Sequence, residues 1–515
     1  MPIQLSARHR HCVLLLYLII EWRCLVISNR LTETKQANDL EHFRQLNATG
    51  RSNPFTPMLI EHVYIKLDFL PLYENARSAE DARGFLRSVS RAAKTSHDVA
   101  KLNGGMLLEV QGSTLHVGIL PTSLKSLKAM DFVGDLHGAF RVLFDGAQSR
   151  IDGWRITVDA GNTLLVAGRG VHGDESLVSL GKAANRPAKH LYQQLELAES
   201  DRNLKRFYVG LRNPQTDRWR YIDLNKLPQH LEEAKSIAKE AREAEPKLDF
   251  VEAASGWKPI NAQAIPIAPA GTPDSPSARS PHTYFGWVMR ADLDGFTSRV
   301  EQCFDNAEKL KELASEFYCI MDAAAQFTEQ HSESLAQLPW AGDNFTAAAV
   351  FDTKANYDEA IPKRLVELSL DFQKEMAEAA DVSGFGGWAY GVAGGIVHGN
   401  SGGNVYLAGV EVGERRFLVG AGEGFGRSAQ AFGDINPKAE EVVIYDPDCK
   451  QLQELYKNVF KPAVNVHGQQ SSLYHVANAD ALVRVRARQG AVGTATIVSM
   501  PDRKSRMVAP RPHFR

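Results

Sequence analysis

"VMRADLDGFTSRV" (residues 288–300) decides how the chain reads. An apolar-leaning run meets Asp292 and Asp294, then passes through Gly-Phe-Thr into a pattern that predicts a helix. A strand ending on acids just before a helix has two explanations. One is a solvated turn whose Asp caps the helix. The other is a metal-bound phosphate site, with the acid holding a cation and the first helical amides facing phosphate oxygens. The choice depends on a second carboxylate and a complementary set of donors elsewhere in the chain.

"AGDNF" (341–345) supplies the second carboxylate. It reads as a hairpin turning at Gly342-Asp343, 51 residues beyond Asp292 (343 − 292), and adjacent strands of one sheet can bring the two acids together. The surroundings also occur twice. "YIKLDF" (64–69) matches "VMRADL" (288–293), and "LLEVQGSTLHVGIL" (107–120) matches "LPWAGDNFTAAAVF" (338–351). "RITVDAG" (155–161) matches "AYGVAGG" (389–395), and "SLGKAANRPAKHL" (179–191) matches "VGAGEGFGRSAQAF" (419–432). The offsets rise from 224 (292 − 68) through 230 (342 − 112) and 234 (395 − 161) to 241 (422 − 181) without scrambling, as a duplication requires. Each block reads strand, helix, helix, hairpin, helix, strand, helix, strand. That is the order of a ferredoxin-like α/β sandwich with a βαβ start and a central hairpin. The chain divides into an N-terminal extension (1–54), a first domain (55–225), a helix and Pro/Ala/Ser-rich linker (226–282), a second domain (283–450), and C-terminal strands and tail (451–515).

"ADLDGFT", "AGDNF" and "GKAANRPAK" resemble, in family order, the two metal motifs and the Gly-x-x-x-Asn-x-x-x-Arg helix start of class III nucleotidyl cyclases. The resemblance spans most of residues 60–450. It implies two tandem cyclase domains forming a pseudo-heterodimer. It also implies two divalent cations, Mn²⁺ or Mg²⁺, held by Asp292, Asp343 and the Leu293 carbonyl, with the amides of Gly295, Phe296 and Thr297 on the phosphates. Chemistry agrees: attack of a 3′-hydroxyl on an α-phosphate needs a more acidic hydroxyl and neutralised leaving phosphates, which two cations supply. Asp294 sits at a position variable in the family and takes no role.

The two blocks differ in a complementary way. The first keeps Asp68 but has Ser113 where Asp343 stands, and its "FLPLYE" lacks Gly-Phe-Thr. It retains Asn185 and Lys189, which share one helix face at i and i+4. Asn185 would position the ribose, and Lys189 would meet charge developing on the α-phosphate. The second block has Gly426 and Gln430 there but keeps both acids. Each half lacks what the other retains, which implies one working site and one degenerate site, built within one chain or across a homodimer. Lys189 departs from the family's Arg and lacks its bidentate fork.

For the base, the adenylyl Lys/Asp pair is replaced by Glu109 and Val178. Glu109 matches the guanylyl pattern of a carboxylate accepting ring N–H groups, and it would equally accept from uracil N3–H or the cytosine amino group. The resemblance is greatest to bacterial cyclases making cyclic UMP or cyclic CMP in anti-phage signalling. The expected substrate is therefore UTP, with GTP next and CTP as a further possibility. A pseudo-cyclase that binds nucleotide without turnover, and a different metal-dependent phosphotransferase, are the competing readings.

Composition excludes other classes. A net charge of −2 argues against a bulk nucleic-acid binder. Five scattered cysteines without a CxxC pair suit a reducing compartment and no zinc site. The N-terminal apolar run Cys12–Ile20 is about half of the ~20 residues a membrane span requires, and Glu21 and Arg23 interrupt its continuation. The run reads as a docking helix, a disordered extension or a consequence of the assigned start, in a soluble, cytoplasmic protein. "HGDES" (172–176) reads as a turn, "GAGEGFG" (420–426) lacks an acidic ribose partner at dinucleotide-site spacing, and His398 reads as a loop residue.

Overall fold

The computed structural model describes residues 55–69, 79–120, 128–144, 151–168, 176–193, 206–213, 216–227, 282–293, 295–303, 306–331, 335–351, 360–382, 390–396, 405–413, 415–438, 440–445, 452–456 and 458–492. The N-terminal apolar run, most of the linker, most of "HGDES", Asp294 and His398 lie outside these residues.

In the first lobe, β1 (Phe55–Phe69) precedes α1 (Ala79–Leu102) and the hairpin β2 (Gly105–Gln111) and β3 (Thr114–Ile119). Then come α2 (Lys128–Leu143), β4 (Ile151–Gly168), β5 (Ser176–Leu180), α3 (Lys182–Gln193), and the hairpin β6 (Phe207–Asn213) and β7 (Arg218–Asp223). The sheet order is β2-β3-β1-β4-β6-β7, with β5 on the far end of β4. Its first four strands form the split βαβ arrangement expected of a ferredoxin-like sandwich.

The second lobe repeats the plan. It runs β8 (His282–Leu293), α4 (Phe296–Cys303), α5 (Ala307–Gln330), β9 (Leu335–Gln337), β10 (Asn344–Phe351), α6 (Ala360–Val382) and β11 (Tyr390–Ile396). It continues β12 (Val405–Val412), β13 (Arg415–Ala421), α7 (Glu423–Asp434), β14 (Glu441–Tyr445), β15 (Lys461–Val464), β16 (Gln470–Asn478) and α8 (Ala479–Val492). β8 lies between β10 and β11, as β1 lies between β3 and β4. The C-terminal strands β15 and β16 join the second sheet beyond β14.

Alternation sorts the two faces of β1. Val63, Ile65 and Leu67 point into a core with Phe85, Leu86 and Val89 of α1 and Phe132, Val133 and Leu136 of α2. His62, Tyr64, Lys66 and Asp68 occupy the opposite face, beside Asp159, Thr157 and Arg155 of β4. α3 packs on that polar face: the Thr157 hydroxyl donates to the Pro187 carbonyl at 2.9 Å.

Both cores cross between lobes. Tyr406, Val410, Phe417 and Val419 of the β12–β13 arm are buried in the first-lobe core. Leu164, Val166, Val178 and Leu180 of the β4–β5 arm are buried with Phe317, Met321 and Trp340 of the second. Burying one such side chain contributes about 1.5–3 kcal/mol. These reciprocal arms are absent from the element order read from sequence. A second helix before the hairpin occurs only in the second lobe among the described residues.

One sequence match changes in register. Asp68 stands opposite Gly153 and Asp292 opposite Gly391, an offset of 238 (391 − 153). Ile60 stands opposite Gly161 and Tyr284 opposite Val405, an offset of 244 (405 − 161). Gly161 therefore corresponds to Val405, not Gly395; β4 runs unbroken, whereas its counterpart is divided into β11 and β12. "LPW" (338–340) is not strand; the three-residue β9 supplies the pairing. "ALVRVRA" (481–487), in the C-terminal stretch expected to hold strands, alternates like one but lies in α8, whose start is capped by Asn478 accepting from the Asp480 amide.

Candidate active site

Asp292 lies at the end of β8, opposite Asn344 of β10 and Gly391 of β11. Gly295, at φ +77, turns the chain into α4, and Phe296 anchors the helix start by packing on Phe317 at 5.1 Å. The amides of Gly295, Phe296 and Thr297 thus open a helix directly after the acid. Leu293 is buried between them.

Asp343 comes from a tight turn whose Gly342 adopts φ +58. The equivalent Gly112 has φ +53, yet the two turns reach different depths. In the first lobe Thr114 stands opposite Lys66; in the second, the matching Asn344 stands opposite Asp292, the counterpart of Asp68. The second hairpin therefore extends two residues further along its central strand and carries Asp343 to Asp292. The Asp343 carboxyl is held well above the ordinary carboxylate range, first by burial and then by the neighbouring charge of Asp292. Lys189 of the first lobe acts on the same carboxyl in the opposite sense.

That last interaction brings the halves together. Lys189 is exposed on α3 and Asn185 is half-buried one turn earlier. α3 is fixed from below: Asp159, fully buried, receives Arg212 at 3.1 Å and Arg186 at 3.5 Å, while Thr157 holds Pro187. Sequence reading missed this anchor. Its signal was a polar, charged β4 strand within an otherwise apolar sheet.

The first-lobe acid has another fate. Asp68 accepts two bonds from Arg155, at 3.0 and 2.8 Å. Register places Ala393 at the position matching Arg155 (155 + 238), so the Arg155 position has no guanidinium in the second lobe. Arg155 neutralises Asp68, whereas the charge of Asp292 pushes the neighbouring Asp343 carboxyl upward.

Two half-buried, mutually repelling carboxylates beside a helix start fit a divalent cation. Among the described residues no group of three or more His, Cys, Asp and Glu side chains is poised for a metal. The protein would supply two carboxylates and backbone oxygen, with water and substrate completing the shell. Such sparse oxygen ligation suits Mg²⁺ or Mn²⁺.

Glu109 lies on β2 beside a bulge at Leu108, opposite His116 of β3. It is buried, with one carboxyl oxygen 3.7 Å from His116 Nδ1. Arg415, from the second lobe, donates to the carbonyls of Leu107 at 2.6 Å and Leu108 at 3.0 Å. Burial pushes Glu109 up to about 8, against the charge of Arg415. Val178, at the other base position, is fully buried in the inter-lobe core.

No family model and no curated protein sequence matches the chain. Solved structures do. A class III adenylyl cyclase-like ATP-binding protein from Pseudomonas aeruginosa superposes with a TM-score of 0.57 at 14% identity, over 84% of this chain and 91% of that one. The guanylyl cyclase Cya2 (TM-score 0.30, 14% identity) and the adenylyl cyclase CyaB from P. aeruginosa (0.27, 13%) each align with 38% of this chain, and with 95% and 94% of their own. The chain shares the fold of that class III adenylyl cyclase-like ATP-binding protein. Among the described residues no helix is long and apolar enough to cross a membrane.

Proposed function

We propose that the chain is a nucleotidyl cyclase that converts a nucleoside triphosphate, UTP in preference to GTP or CTP, to its 3′,5′-cyclic monophosphate and pyrophosphate. The observation that carries this reading is the electrostatic meeting of three residues from two lobes: Asp292, Asp343 and Lys189. In this reading the two lobes pair within the chain as a pseudo-heterodimer. Asp292, Asp343 and the Leu293 carbonyl hold two divalent cations, which when bound acidify the 3′-hydroxyl and neutralise the triphosphate. The amides of Gly295, Phe296 and Thr297 receive phosphate oxygens. Asn185 orients the ribose, and Lys189 offsets negative charge that grows on the α-phosphate as the pyrophosphate leaves. Glu109 reads the base. The wider role we infer, second-messenger synthesis in anti-phage defence, is supported by the sequence resemblance.

A nucleotide-binding protein without turnover is the second reading. It is favoured by Lys189 at an Arg position and by likeness to a structure described as ATP-binding. Incubation with each of four NTPs and Mn²⁺, using the full chain and Asp343→Ala, separates the two. A cyclic product and pyrophosphate that vanish in the variant support the cyclase. Nucleotide binding without product supports the second reading, and a linear product would replace both with another phosphotransferase.

A further inference from the structure

Behind Glu109, on the sheet face that carries α3, lies a buried polar chain with no part in the cyclisation chemistry. Thr163 Oγ1 of β4 lies 3.4 Å from the Gly161 carbonyl and 2.7 Å from His62 Nε2, so a hydroxyl that donates to Gly161 accepts from His62. With its proton on Nε2, His62 presents a bare Nδ1, which accepts from His116 Nε2 at 2.9 Å. His116 then has its proton on Nε2 as well. That tautomer leaves a lone pair on its Nδ1, which is buried, without a hydrogen-bond partner, and 3.7 Å from Glu109 Oε2. The ring is held in this orientation by stacking on Tyr64 at 4.0 Å and 11°.

We propose that the Thr163–His62–His116 relay selects the base by holding Glu109 as a carboxylic acid. Two lone pairs facing each other repel, so an acceptor at Nδ1 favours the O–H form of the carboxyl. With that proton directed at His116, Glu109 offers the base a single uncharged acceptor. The uracil edge, with one ring N–H between two carbonyls, suits it. Guanine presents two adjacent N–H donors and suits an ionised carboxylate, so the relay disfavours GTP. The base preference rests on the reading of Glu109 as the base-recognition group.

The groups facing Glu109 are consistent with this state. His116 comes from β3, with His62 behind it, and both imidazoles are driven neutral by burial, His116 down to about 3. Among the described residues, Arg415 is the charged group that acts on Glu109 from the second lobe, and burial outweighs it. Arg415 also commits two donors to the Leu107 and Leu108 carbonyls.

Thr163→Val tests the relay without touching Glu109. Without the hydroxyl, His62 reverses its tautomer, His116 follows, and an N–H at Nδ1 then faces Glu109 and favours the carboxylate. Infrared difference spectra at neutral pH should show a protonated-carboxyl band in the wild type that Glu109→Gln removes and Thr163→Val removes or weakens. Relative turnover in Thr163→Val should move from UTP toward GTP by roughly tenfold or more, the change one mismatched buried hydrogen bond produces. His116→Gln, which points an amide donor at Glu109, gives the same result should Thr163→Val fail to fold. A wild type without the band, in which Glu109→Gln still changes nucleotide preference, overturns the relay alone. A band that behaves as expected, while neither variant alters preference, overturns the assignment of Glu109 to the base.

Discussion

A carboxyl that the fold buries beside another acid is a liability of the apo protein, and Asp343 shows its sign. Its folded value is raised above the unfolded one, so between the two the native state binds more protons than the unfolded chain. Metal-free stability is therefore present on the acid side and falls as pH rises through that window. A cation held by the two acids would reverse the loss. Thermal melts should show Mn²⁺ raising the midpoint more at pH 8 than at pH 5, while Asp343→Asn gains about 2–4 °C without metal, as ~1 kcal/mol would give in a domain of this size, and no longer responds to Mn²⁺. A variant that melts lower without metal would contradict the burial argument. On the same site, Lys189→Ala should lower kcat by about 10²–10³-fold, with KM little changed, and Lys189→Arg should restore most of it. Equal losses for both variants would mean that the helix, not the cation, matters. The grouping of both acids with Lys189 was legible in the sequence because the motifs that carry them are local. Arg155 was not: its role as the neutralising partner of Asp68 comes from strand pairing between residues 87 apart.

The elements explain why similar motifs end in unlike sites. Both hairpins turn on a glycine at positive φ, but only the second reaches its strand-end acid. A side chain at Gly342 or Gly295 would meet nothing within 4 Å, so substitution there probes backbone strain alone. Gly342→Ala should cost about 1–2 kcal/mol by chemical denaturation, and Gly342→Asn less, because Asn tolerates the left-handed region. Gly420 is different, since an added Cβ would collide with the Phe425 ring, and Gly420→Ala should cost more than either through forced repacking. If Gly420→Ala proves the milder change, the packing of α7 on β13 is looser than these distances require. Turn glycines, helix starts and the central hairpin could be read from local chemistry. The alternating Val and Arg of residues 483–486 misled because a cap at Asn478 and the ion pair of Arg486 with Asp371 at 2.9 Å outweigh the period of two. The division of the β4 counterpart into β11 and β12 was hidden as well, because glycine-rich matches align equally well at several offsets.

Across the whole molecule, reciprocal arms make each lobe part of the other's core. Phe417 and Tyr406 are as buried in the first lobe as Leu164 and Leu180 are in the second. Sequence carried the complementarity of the lobes but not these arms, whose apolar residues only make sense against a partner surface. The pairing has a consequence for inheritance of function between copies. If Lys189 meets Asp343 of its own chain, a chain lacking either residue has no intact site to share. Lys189→Ala and Asp343→Ala would then each be inactive alone, and mixing the two purified variants, or expressing them together, would restore nothing. If the lobes instead pair between chains, the mixture forms an assembly in which wild-type Lys189 of one copy faces wild-type Asp343 of the other, and a substantial fraction of activity returns. Cyclic-nucleotide production by the mixture, measured against each variant and the wild type at matched concentration, decides between them. The expected result is no recovery, because the arms that bury one lobe in the other are supplied by the same chain that supplies Lys189 and Asp343.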